Sequence, residues 1–132
     1  MRKISRKGLV KKLDKIFGEY IRLRYAKKGI VECVTCGVHK HYTEVDAGHF
    51  MSRKHYSTRW HPTNVQVQCK NCNAFRAGEN YLFGKYLDKA HGIGTADELV
   101  FLSRQIKKFT NQDLNDMIDD YEERTNLMKD GE

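Results

Sequence analysis

All four cysteines of this chain fall in two C-x-x-C pairs, and that arrangement constrains the fold more than any other feature. The pairs are Cys33-Val-Thr-Cys36-Gly37 and Cys69-Lys-Asn-Cys72-Asn73. Two such pairs supply the four thiolates of a tetrahedral zinc site, two from each short loop. We expect a structural zinc on Cys33, Cys36, Cys69 and Cys72. A shell of four protein thiolates has no open position, so this zinc would not be a catalyst. The alternative is a pair of disulfides, although C-x-x-C twice is a poor stapling pattern. The spacer between Cys36 and Cys69 is 32 residues, longer than in a plain zinc finger. Something is inserted between the two knuckles.

At 132 residues the chain is expected to form one domain with a modest core. It divides into a basic amphipathic helix (1–29), a zinc-bound core (30–80) and a helical C-terminal part (81–126). No apolar run approaches the roughly 20 residues of a membrane span, and no apolar signal core follows the basic start Met1-Arg-Lys-Ile-Ser-Arg-Lys. We therefore expect a cytoplasmic protein with reduced thiols, which suits metal binding. The net charge of +7 is uneven: residues 1–28 carry +9, residues 29–94 carry +3 and residues 95–132 carry −5. A basic front of this kind points to nucleic acid. A merely solvated charged surface is the bland alternative.

The first segment reads as a helix from Lys7 to Lys28, with Leu9, Leu13, Ile16, Phe17, Tyr20 and Ile21 at helical spacing. Lys11, Lys12, Lys15, Arg22 and Lys27 occupy its other face, and Gly29 is its expected C-cap. Ile30–Cys33 and His41–Asp46 read as a hairpin, and Val65–Cys69 as a further strand. After Cys72 the pattern turns helical, breaks near Gly78, and resumes with Tyr81, Leu82, Tyr86 and Leu87 as apolar positions. Thr95-Ala-Asp-Glu98 has the form of a capping box before a helix bearing Leu99, Phe101, Leu102 and Ile106. Thr110 to Asp113 repeats that signal more weakly before a last helix with Leu114, Met117, Ile118 and Tyr121. Residues beyond Asn126 are expected to fray. The fold class expected from this pattern is α+β and mainly helical.

The spacer holds the residue types of a metal-dependent hydrolase. Asp46-Ala-Gly-His49 places a carboxylate at an expected strand end and an imidazole three residues on, past a glycine that lets the backbone bend. Asn73 opens the second knuckle's helix. If zinc clamps the knuckles together, Asp46 and Asn73 meet in a sparse oxygen site suited to Mg²⁺, with His49 near enough to deprotonate a water. Taken singly, each has a structural reading: Asp46 in a turn, His49 as a hydrogen bonder, Asn73 as a helix cap. In the loop from Phe50 to Pro62, Arg53, Lys54, His55, Arg59 and His61 can grip phosphates, while Tyr56 and Trp60 can stack on unpaired bases. Phe50 and Trp60 can equally plug the core. Arg76, one turn after Asn73, is a further phosphate ligand, joined by Lys11, Lys12 and Lys15 of the first helix.

This pattern resembles the HNH, or ββα-metal, nucleases. It is closest to the lambdoid-phage NinG or Rap recombination family, which carries C-x-x-C-G, Asp-Ala-Gly-His-aromatic, then Asn shortly before C-x-x-C-N. This chain has Cys33-Val-Thr-Cys-Gly37, Asp46-Ala-Gly-His-Phe50, Asn64-Val-Gln-Val-Gln-Cys69 and Cys72-Asn73. The arrangement of Asp46, His49 and Asn73 also resembles the phage resolvase endonuclease VII. The resemblance implies a zinc-stabilised, treble-clef-like HNH core between a basic N-terminal helix and C-terminal helices. It implies an endonuclease acting on Holliday junctions and flaps in the bacterial host. In those roles His49 is the general base, Asp46 and Asn73 hold catalytic Mg²⁺ or Mn²⁺, and Asn64 pins the loop and the base. Ala47 and Gly48 intervene where many HNH enzymes set the metal-binding Asp directly before the base.

Two other readings compete: a zinc-knuckle DNA-binding module without catalysis, and an HNH homing or restriction nuclease. A four-way junction has two-fold symmetry, so two symmetric cuts call for a homodimer. Its seam is expected in the apolar stripes of the first helix and the last two helices. Those stripes could instead close a single helical core.

Overall fold

The computed structural model describes residues 4–131. Residues 1–3 and 132, which include the first part of the basic start and both ends of the expected domain, lie outside the described residues. The elements run α1 (Arg6–Leu23), β1 (Ile30–Glu32), β2 (His39–His41), β3 (Val45–His49), α2 (Tyr56–Arg59), β4 (Val65–Cys69), α3 (Asn80–His91), α4 (Thr95–Ser103) and α5 (Asn111–Gly131). The fold is α+β and mainly helical.

Ser5 starts α1 by accepting the Gly8 amide at 3.1 Å, which satisfies one of the helix's orphan donors. Leu9, Leu13, Phe17 and Ile21 follow at i, i+4 spacing and pack with Leu114 and Ile118 of α5, Trp60 and Val65. Side chains of this size each contribute roughly 1.5–3 kcal/mol when fully buried. The two apolar stripes thus cover one another within the chain. α1 stops at Leu23, five residues before the expected end. Arg24 caps it, and a tight turn follows in which Lys28 (φ 52°) and Gly29 (φ 78°) are left-handed and Lys27 bridges Ile30. Gly29 therefore belongs to that turn and not to the helix end.

The expected strand over 41–46 is divided in two. β2 ends at His41 after pairing with β1, and a 3₁₀ turn over Tyr42–Glu44 redirects the chain. β3 then pairs antiparallel with β4, Val45 opposite Cys69 and His49 opposite Val65. Asp46 consequently lies inside a strand and His49 ends it. Gly48 plays a different role from the expected bend. Its φ is not left-handed; a Cβ there would lie 2.0 Å from Oε1 of buried Gln68, so glycine is needed for space. The Gln68 amide fills that gap and donates to Gly78 O at 2.8 Å and Thr35 Oγ1 at 3.2 Å, tying the two knuckles together.

Beyond the second knuckle, Phe83 and Leu87 of α3 pack with Phe50 and Leu99. Tyr81 and Leu82, expected inward, are exposed. The capping signals rank opposite to their sequence strength. Thr95 lies inside α4, whose Ala96 amide is taken by Asp88 of α3 at 2.9 Å. The weaker Thr110/Asp113 signal forms the reciprocal box, with Thr110 N to Asp113 Oδ2 at 2.8 Å and Asp113 N to Thr110 Oγ1 at 3.0 Å. α4 ends before Ile106, which is exposed, as is Phe101. α5 does not fray after Asn126 but continues to Gly131, where a Lys129–Glu19 ion pair joins it to α1. No helix among the described residues is long and apolar enough to cross a membrane.

Candidate functional site

The first knuckle forms because Gly37 supplies a left-handed turn (φ 80°) between Cys36 and β2, with Gly37 N bonded to Cys33 O and Cys33 N to Val38 O, each at 2.9 Å. The second begins where β4 ends at Cys69. It passes through a π-type turn over Asn71–Phe75, closed by Arg76 N to Asn71 O at 3.0 Å. These turns bring the Sγ atoms of Cys33, Cys36, Cys69 and Cys72 within 4.8 Å of one another. All four thiols are free, and Cys36 Sγ lies 3.7 Å from Cys69 Sγ. A zinc with Zn–S bonds of about 2.3 Å has tetrahedral S–S edges of about 3.8 Å. A disulfide needs about 2.05 Å. The cluster therefore can hold one structural zinc.

Without a cation the sulfurs compete for charge. Burial raises the Cys33 thiol, but bonds from Thr35 and the backbone of Cys69, Cys36 and Thr35 outweigh it and bring it down to about 6. Burial pushes Cys72 up to about 12, with Cys69, Cys36 and the Cys33 charge adding to the rise. A divalent cation removes that conflict by favouring thiolate at every position.

Beside the cluster lies a cleft of about 470 Å³ between α1, β3 and the second knuckle. Asp14, Arg22, Asp46, His49, Arg53 and Asn73 line it. Asp46 Oδ2 accepts Asn73 Nδ2 at 3.1 Å, and Oδ1 accepts Lys70 Nζ at 2.7 Å. Burial alone would raise the Asp46 carboxyl. The bonds from Lys70 and Asn73 and the charges of Lys70 and Arg22 hold it below the usual carboxylate range. Asp46 thus already carries a cation, the Lys70 ammonium, and a carboxylate beside an amide also suits a hard divalent ion.

His49 Nε2 lies 2.9 Å from the Arg59 carbonyl. A carbonyl only accepts, so Nε2 carries the hydrogen and Nδ1 keeps its lone pair. Burial is the main cause lowering the His49 pKa. The charges of Arg53 and Arg59 add to it, while the Arg59 carbonyl and Asp14 oppose. The depressed pKa favours the neutral imidazole near pH 7. Asn64 is fully buried and holds the loop around this histidine: its Nδ2 donates to Met51 O and Thr58 O at 3.0 Å, and its Oδ1 accepts Met51 N at 2.8 Å.

The expected DNA contacts separate into two sets. Arg53, Lys54, Arg76, Lys11, Lys12 and Lys15 are exposed. Lys11 and Lys15 lie on the flank of α1 that continues through Gly18 and Arg22 into the cleft, whereas Lys12 is rotated about 100° away. Arg59 and Trp60 are committed inward. Arg59 forks onto Asp14 at 3.1 and 2.6 Å, and Trp60 Nε1 donates to Asp14 at 2.9 Å. Trp60 is 5% exposed, so it takes the core reading and not base stacking. Tyr56 stacks on it at 5.6 Å. His39, His41 and His91 are exposed.

The family model described as "Bacteriophage Lambda NinG protein" matches residues 2–132. The chain belongs to the NinG family. No curated protein and no solved structure matches it. In this NinG family member, three groups in and around the cleft escape the sequence reading. Lys70 sits between two zinc ligands and reads as knuckle filler, yet its ammonium meets Asp46. Asp14 reads as one acid on a basic helix, yet it anchors Arg59, whose carbonyl holds His49. Gln68 reads as the outward residue of an alternating strand but is buried. Only Asp14 leaves a trace in the sequence, as an acid spaced at i, i+4 along a helix from Gly18 and then Arg22.

Proposed function

We propose that this protein is a structure-selective DNA endonuclease that hydrolyses phosphodiesters in branched recombination intermediates, such as Holliday junctions and flaps. In this reading residues 30–80 form a zinc-bound HNH, or ββα-metal, core. The observation that carries it is the neutral His49, tautomerically fixed by Arg59 with Nδ1 left to accept a proton, in one cleft with the Asp46–Asn73 pair.

Asp46 and Asn73 would hold Mg²⁺ or Mn²⁺. Such an ion supplies neutralisation of charge growing on the phosphate and the leaving 3′ oxygen. His49 Nδ1 takes the proton of the attacking water. Arg22 and Arg53 hold non-bridging oxygens at the cleft, and Lys70 joins them when it leaves Asp46. Lys11 and Lys15 extend this basic track along α1 and give affinity that falls as salt rises. Two symmetric cuts at a four-way junction require two sites, so the protein acts as a homodimer. Because α1 and α5 cover each other, the seam uses other surface, with exposed Ile93, Phe101 and Ile106 available. The activity belongs to the cytoplasm of the infected bacterium.

The test is cleavage of an end-labelled four-way junction beside its linear duplex, with Mg²⁺, Mn²⁺ or EDTA. The reading expects cation-dependent cuts near the branch, none in EDTA, and little cutting of the duplex. Junction binding without cleavage under any cation would instead favour a zinc-knuckle binding module.

A further inference from the structure

Phe75 is 84% exposed, whereas Phe17, Phe50 and Phe83 are buried. Its exposure is built into the backbone. Phe75 ends the π-type turn over Asn71–Phe75, and insertions of this kind recur at functional sites. Three left-handed residues follow, Ala77 (φ 52°), Gly78 (φ 83°) and Glu79 (φ 49°), two of them without glycine's freedom. The segment is pinned by Gly78 N to Cys72 O at 2.8 Å and by Gln68 Nε2 to Gly78 O at 2.8 Å. A sterically costly, anchored turn therefore holds an apolar ring in water.

The surroundings indicate what covers it. Lys70 and Arg76 flank the turn, with side chains 64% and 60% exposed. Asn73, two residues before Phe75, meets Asp46 in the cleft. An exposed ring on a turn flanked in sequence by exposed cations, two residues from a side chain of the candidate phosphodiester site, matches the pattern by which single-stranded nucleic acid is held: cations on the backbone and an aromatic face under a base. The other aromatic groups nearby are engaged. Trp60 is buried, Tyr56 lies against it, and Lys85 covers the Tyr81 ring at 5.2 Å.

We propose that Phe75 is a stacking platform for an unpaired base at a DNA branch, next to the phosphate held in the cleft, and that it sets selectivity for branched over linear DNA. This rests on the endonuclease reading for the position of the phosphate. Duplex DNA keeps its bases stacked on one another and offers no free face, whereas a flap or an opened branch does.

The experiment uses the zinc-loaded full chain with no Mg²⁺ or Mn²⁺ added, so that binding is read without cleavage. Its probes are a flap DNA carrying 2-aminopurine as the unpaired branch base and the matched linear duplex. Phe75→Ala is expected to raise the flap Kd by about 5- to 150-fold. It should leave the duplex Kd unchanged and abolish the quenching of 2-aminopurine on binding, and Phe75→Trp should restore both. Equal weakening on flap and duplex, or no weakening on either, overturns the proposal. If wild type cleaves and Phe75→Ala is unaltered, the stacking proposal fails alone. If Phe75 acts as described but no cation supports cleavage, the endonuclease reading fails alone.

Discussion

Replacing Asp14 with alanine removes one carboxylate and strands two donors. The Arg59 guanidinium, whose side chain is 15% exposed, loses both forks, keeping the 2.9 Å bond from Nη1 to the Arg53 carbonyl. The indole N–H of buried Trp60 loses its acceptor. Breaking a fully buried ion pair from one side costs about 3–5 kcal/mol. An unsatisfied buried donor costs about 1–3 kcal/mol. The partial exposure of Asp14 (21%) and the surviving Arg53 contact reduce the sum, so we expect a net loss of about 3 kcal/mol. For a chain of this length that lowers Tm by about 10 °C. Asp14→Asn keeps an acceptor for Trp60 but loses the charge, and should cost about half as much. Urea unfolding of the zinc-loaded variants measures both. A further readout separates packing from positioning. The Arg59 carbonyl holds His49, so cleavage by Asp14→Ala should fall further than its folded fraction predicts. A stability loss below about 0.5 kcal/mol, with unchanged cleavage, would refute the reasoning.

Cys69→Ser or Cys72→Ser should lose zinc and the fold together, while wild type carries one zinc per chain by metal analysis; a wild type without zinc and with thiols oxidised in pairs contradicts the assignment. Cleavage should rise with pH as His49 loses its proton and level off below the ordinary histidine value near 6.5, because burial depresses this pKa. The same depression means that the unfolded chain binds the proton first, so His49 stabilises the fold less as pH falls from 6.5 through its folded pKa; single-turnover rates and urea midpoints across that range check both signs. Gly48→Ala should cost about 1–3 kcal/mol through its clash with Gln68, with part recovered in Gly48→Ala/Gln68→Ala.

The parts legible in sequence are those fixed by local pattern. The cysteine spacing marks the sulfur cluster, the i, i+4 stripe marks the buried face of α1, and the alternation of Val65-Gln-Val-Gln-Cys69 marks β4. The misread parts depend on contacts made across the chain. Tyr25 to Lys28 have ordinary helical propensity, but the bridge from Lys27 to Ile30 turns them away. Thr95 looks like a cap, but Asp88 of the preceding helix takes that role. Alternation also misleads at Gln66 and Gln68, which are polar and buried because both amides find acceptors inside. In the cleft, residue type alone points to Asp46, His49 and Asn73, and the fold brings them to one opening. Lys70 and Asp14 were missed because their partners are 24 and 45 residues away, respectively, beyond any local rule.

The central claim is that His49 is the proton acceptor of a phosphodiester hydrolase, and His49→Ala tests it most directly. Rates on a labelled four-way junction should be measured with Mg²⁺ and Mn²⁺, alongside zinc content and junction affinity. The account predicts cleavage reduced by at least about 10²-fold, with zinc and binding retained. Cleavage at near the wild-type rate by a zinc-loaded His49→Ala protein would contradict it.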